Sequence, residues 1–144
     1  MRRVAITGMG IVSSIGATIE DVRTSLRDGR SGIVAAPAYA DMGFRCQVYA
    51  PPPIDWQALV DRRAGRFLAA GTAFGHIAME QAIADAGLTP EEVSDERTGL
   101  IVGSGGASTH SIVEAADTAR NKGASFAMRN DGQLRHRVRP RPVA

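Results

Sequence analysis

The residues with the clearest chemical potential stand at the start of the chain. The apolar run Val4-Ala5-Ile6 leads directly into a turn holding Gly8 and Gly10, with Gly16 further on. Glycines between a strand and a helix let the backbone approach a pyrophosphate, which then sits on the helix N-terminus. That use requires G-x-G-x-x-G, and here the third glycine position is Ser13, with Gly16 three residues late. A tight strand-to-helix turn is therefore the stronger reading, and a nucleotide-binding domain the weaker one.

Few other groups could carry chemistry. Cys46, in "FRCQVYA", is the single cysteine, which excludes an internal disulfide framework and a cysteine-based zinc site. It reads as a structural or surface thiol. Of the three histidines, His76 has apolar neighbours in a helical stretch and His110 follows a second glycine turn. His136 lies near the end. None is spaced to form a Cys–His pair. No metal site and no cofactor is expected, and no catalytic residue can be assigned. Asp61, Arg62, Arg63 and Arg66 form a charged cluster that reads first as a solvated helix start.

The elements that position these residues follow from periodicity and caps. Residues 3–7 read as a buried, β-branched strand. Over 17–32 the chain predicts a helix, with Thr18 as N-cap, Glu20 and Asp21 in the first turn, an apolar stripe of Ile19, Val22 and Leu26, and Gly29 at the end. Residues 31–55 contain Pro37 and the triplet Pro51-Pro52-Pro53, and predict loop with one short strand around Cys46–Tyr49. From Trp56 to Gly87 apolar residues recur at helical spacing, including Leu68, Phe74, Ile77, Ala78, Ala82, Ile83 and Ala86. Small residues at 69–71, 73 and 75 make one side thin enough for close packing. Thr89-Pro90-Glu91-Glu92 opens a short helix. Leu100–Val102 repeats the strand-then-glycine pattern, and residues 110–122 predict a last helix. The order suggests α/β layering with parallel strands. Two or three strands leave such a sheet unfinished, with edges prone to aggregation.

Composition is that of an ordinary globular protein, 44% hydrophobic and 22% charged among 144 residues. No apolar run approaches the length of a membrane span, and the N-terminus lacks the apolar core of a secretory signal. A cytoplasmic protein with no membrane partner is expected. The net charge of +2 is unevenly placed. Residues 129–144 hold five of the 17 basic and one of the 15 acidic residues, so residues 1–128 carry a net charge of −2. Five arginines in so short a tail could attract nucleic acid in a non-catalytic binding module. The acidic body, and the lack of interleaved aromatics or of any nucleic-acid motif, argue that nucleic acid is not a partner.

Taken together, "RRVAITGMGIVSSIG", "SLRDGRSGI", "DRRAGRFLAAG", "MEQAIADAGL" and "GLIVGSGG" occur in one order along residues 1 to about 120. This string resembles the N-terminal part of the β-ketoacyl-[acyl-carrier-protein] synthases, and "GIVSSIG" and "RRAGRF" resemble the type I branch. The resemblance implies a partial thiolase-like α/β fold, part of the first half of a five-layer αβαβα architecture that the family builds as a homodimer. It implies an acyltransferase of fatty-acid biosynthesis. In that family a cysteine thiolate takes an acyl group from the carrier protein, and the carbanion from decarboxylated malonyl-carrier protein attacks the thioester. The nucleophilic cysteine and two catalytic histidines of the family have no counterpart in this sequence, so the chain is expected to be inactive alone. The resemblance also implies that the opening glycines pack tightly under the next helix. It places Gly106, with Ala107 beside it, in the wall of the acyl pocket. A turn requiring positive φ is the competing explanation for Gly106. The Arg62/Arg63/Arg66 cluster could touch the acidic carrier protein.

After Gly123 the resemblance stops, and residues 124–144 show neither helical nor strand period. With GC-leaning codons, a one-base shift from Ala127 can be read as Pro-Cys-Ala-Thr-Met-Gly-Ser-Ser-Ala-Thr-Ala-Ser-Ala, close to the family's segment here. Residues 1–123 are therefore expected to be the synthase part, and 124–144 a disordered, frameshifted tail.

Overall fold

The computed structural model describes residues 3–65, 68–106 and 108–123. The chain divides into two compact units, one of Met1–Leu59 with Phe74–Leu100, the other of Val60–Ala73 with Ile101–Ala144. The tail expected to be disordered and frameshifted, 124–144, lies outside the described residues.

In the first unit, helix α1 spans Ile19–Asp28 as its caps dictate. The Thr18 hydroxyl accepts the Asp21 N–H at 3.2 Å, and Gly29 closes the helix with φ 65°. The face turned inward is Ile19, Val22 and Ser25 rather than Ile19, Val22 and Leu26. Leu26 is 68% exposed, whereas Ser25 is buried and its hydroxyl donates to the Ile15 carbonyl at 2.7 Å. One satisfied hydroxyl thus replaces a leucine on the inner face. Next come strand β1 (Val34–Ala35), helix α2 (Pro37–Asp41) and strand β2 (Val48–Tyr49). β1 and β2 pair antiparallel, Val34 opposite Tyr49 and Ala35 opposite Val48. The expected short strand near Cys46–Tyr49 is present in β2. Tyr39 packs its ring edge-on to Phe44 at 5.6 Å, with Tyr49 at 6.2 Å.

The helical pattern from Trp56 to Gly87 resolves into separate pieces: the short turns α3 (Trp56–Leu59) and α4 (Arg62–Gly65), then the long helix α5 (Ala70–Ala86). The break before α4 is made by Asp61, whose Oδ1 accepts the N–H groups of Arg63 at 2.8 Å and Ala64 at 3.1 Å. Gly87, at φ 66°, ends α5. Helix α6 (Pro90–Val93) carries a full capping box: Thr89 Oγ1 accepts from Glu92 N, and Glu92 Oε2 accepts from Thr89 N at 2.8 Å. In the second unit, α7 (Thr109–Lys122) starts at the Ser108 cap.

The opening segment behaves differently from the expected buried strand. Residues 3–7 pair with no strand among the described residues, and Val4 and Ile6 are 93% and 84% exposed. Leu100–Val102 likewise forms no ladder and is exposed. The one sheet among the described residues is the antiparallel β1–β2 pair, not a parallel one. β-branched composition favours a strand only where a neighbouring backbone completes the ladder, and no described neighbour does.

From Gly8 onward, helix α5 supplies the missing neighbour. A Cβ on Gly10 would fall on the Ala78 carbonyl oxygen and lie 2.9 Å from Ala82 N. One on Gly8 would fall against the Ala82 carbonyl oxygen and lie 2.6 Å from Ala86 N. Between the glycines, the Met9 N–H donates to Asp85 Oδ2 at 2.9 Å, and the Ile11 N–H donates to Gln81 Oε1 at 3.0 Å. Gln81 Nε2 also donates to the Ala17 carbonyl at 2.7 Å, tying the entry of α1 to the same helix. The glycines thus pack under α5, some 70 residues further along, rather than under the next helix, α1. The thin side of α5 is Ala78, Ala82 and Ala86; Gly71 and Gly75, expected to serve close packing, have open space where a Cβ would be.

Two outcomes test this contact. Gly10→Ala should lower unfolding stability by about 2–3 kcal/mol, because the obstructing atoms are backbone and cannot rotate away. Gly75→Ala, in the same helix but facing open space, should raise it by about 0.5–1 kcal/mol. Urea midpoints moving in the same direction would refute the assignment. Gln81→Leu should cost about 1–3 kcal/mol by leaving two backbone groups unpartnered. It should also speed amide exchange at Ile11, read by NMR, while Ser25 bonding is untouched.

Candidate functional site

The second glycine turn, preceding α7, is held by its own serine. Ser104 Oγ donates to the Gly106 carbonyl at 2.9 Å and accepts the Gly106 N–H at 3.4 Å. Gly106 has no positive φ, so the turn does not demand glycine on conformational grounds. No described atom lies within 4 Å of where its Cβ would stand, so close packing does not demand it either. Among the described residues, neither of the two ordinary structural reasons for glycine operates at this position. Ala107, the other residue expected in the acyl-pocket wall, lies outside the described residues.

The charged cluster is divided by the cap it forms. Asp61 is engaged by the backbone of α4, which leaves Arg62 and Arg63 exposed and without an ion pair among the described residues. With no ion pair to either guanidinium group among the described residues, the start of α4 presents Arg62 and Arg63 to solvent. Arg66 lies outside the described residues.

The remaining reactive side chains are apart from these features. Cys46 is exposed, between α2 and β2, with its Sγ 3.5 Å from the Val48 carbonyl oxygen. It sits at no helix N-terminus. His76 on α5 lies 3.3 Å from Glu80 and His110 on α7 lies 3.9 Å from Glu114, each an i,i+4 pair along its own helix. His136 lies outside the described residues. Among the described residues no three His, Cys, Asp or Glu side chains converge as a metal site would require. No described helix is long and apolar enough to cross a membrane.

The opening glycines, which could have been a phosphate cradle, are occupied. The backbone of α5 stands where the pyrophosphate would need open space at Gly8 and Gly10, and this removes the nucleotide-binding reading. Sequence reasoning missed Gln81 and Asp85. Their signal was present: two polar residues at i,i+4 spacing next to the alanine row of 78, 82 and 86.

Comparison with known proteins settles the ancestry. Residues 1–135 match the family described as beta-ketoacyl synthase, N-terminal domain. The chain belongs to this family. It is 46% identical over 121 residues to 3-oxoacyl-[acyl-carrier-protein] synthase 1 of Escherichia coli K12, covering 83% of this chain and 30% of the relative. It is 42% identical over 120 residues to the synthase 1 of Haemophilus influenzae, with the same coverage of 83% and 30%. Both carry the synthase 1 name, in keeping with the type I resemblance. A crystal structure of a beta-ketoacyl synthase from Burkholderia phymatum STM815 superposes with a TM-score of 0.69 at 30% identity, covering 88% of this chain and 32% of that one. The fold is therefore part of the α/β fold of the β-ketoacyl synthases. The chain spans about 30% of the length of the relatives it matches.

The placement of Cys46 generates a prediction. The native chain should react with a disulfide reagent stoichiometrically and at the rate of the urea-unfolded chain. Cys46→Ser should leave the unfolding midpoint within about 0.5 kcal/mol of the parent. A thiol protected until unfolding would contradict the exposed placement.

Proposed function

We propose that this chain is the N-terminal part of a β-ketoacyl-[acyl-carrier-protein] synthase of fatty-acid biosynthesis. The reaction is the decarboxylative Claisen condensation of an acyl thioester with malonyl-carrier protein. The observation that carries the reading is the 42–46% identity to synthase 1 proteins across 83% of this chain. Within the reaction the chain's own contribution is positional. Gly106, with Ala107, forms part of the wall of the acyl pocket; that neither positive φ nor close packing calls for glycine at 106 among the described residues supports the role. Exposed Arg62 and Arg63 meet an acidic carrier protein by charge complementarity. The working protein is a cytoplasmic homodimer.

Condensation needs a thiolate to hold the acyl group, and donors for the enolate and the tetrahedral oxyanion. Cys46 in its hairpin and the helix-surface histidines His76 and His110 serve neither purpose. Residues 1–144 alone are accordingly inactive, and the nucleophile and its histidines belong to the part of the synthase that this chain does not span. Residues 1–123 are the synthase part and 124–144 the product of a shifted reading frame. The family match runs on to residue 135, so the nucleic acid and not similarity must locate the shift.

The experiment is to resequence the gene from codon 120 for several hundred bases and express both frames. The shifted frame should continue into a small-residue segment bearing a cysteine and, later, two histidines. Its product should form 3-oxoacyl-carrier protein from labelled malonyl-carrier protein, while the 144-residue chain forms none. Turnover by the 144-residue chain would overturn its inactivity. A shifted frame without the cysteine would overturn the frameshift. In the active product, Gly106→Phe should shorten the accepted acyl chain; an unchanged chain-length profile would remove Gly106 from the pocket wall.

A further inference from the structure

We draw no further inference here: the strongest candidate, the exposed apolar surface built by α2 and the β1–β2 pair around Tyr39, Met42, Phe44 and Tyr49, carries nothing because nothing in the structure shows what covers it.

Discussion

The first unit depends on one close approach, that of the backbone at Gly8–Ile11 to helix α5. An extended chain advances about 6.6 Å over two residues, and a helix advances about 6 Å over four. The two repeats nearly match, so positions 8 and 10 meet Ala82–Ala86 and Ala78–Ala82 while the N–H groups of 9 and 11 reach Asp85 and Gln81. Side chains of a helix here take the acceptor role that a neighbouring strand would take. The contact tolerates no Cβ at positions 8 and 10, where the backbone of α5 already fills the space. The same residue types recur beyond it: Gly32 lies against the Ser14 backbone, and Gly16 against Asp21 and Val22 at the start of α1.

This explains why the opening of the chain imitates a nucleotide site. A phosphate cradle and a helix packed on a strand need the same thing, backbone stripped of side chains, and sequence spacing alone separates them poorly. The missing third glycine at Ser13 was the available discriminator. Ser13 instead closes a short turn with Gly16, exchanging N–H···O bonds of 2.9 and 3.3 Å. Gly106 is the contrasting case, a glycine that neither conformation nor packing requires within the described residues.

The candidate functional features are correspondingly peripheral to the packing. The described residues bury few apolar side chains, with Ala36 and Ile77 in the first unit and Val60 and Ala73 in the second. Large apolar residues such as Val4, Ile6 and Ile101 stand in solvent. Asp61 shows how local chemistry still shapes the surface: its carboxylate starts α4, on which Arg62 and Arg63 stand exposed.

What the sequence by itself determined is everything decided within about four residues. Thr18, Thr89 and Ser108 cap the helices they precede, Gly29 and Gly87 end theirs in the left-handed region, and α6 and α7 lie where caps and spacing put them. The family was legible too, because several co-ordered segments constrain ancestry more than any single motif does. The break of Trp56–Gly87 at Asp61 is of the same local kind, though helical spacing did not show it. The tertiary structure alone decided which face of α1 turns inward, and that residues 3–7 and 100–102 form no ladder among the described residues. It alone showed that the opening glycines meet a helix some 70 residues away. Capping is satisfied by a residue's own neighbours, whereas strand pairing and backbone approach depend on groups distant in the chain, which periodicity cannot name.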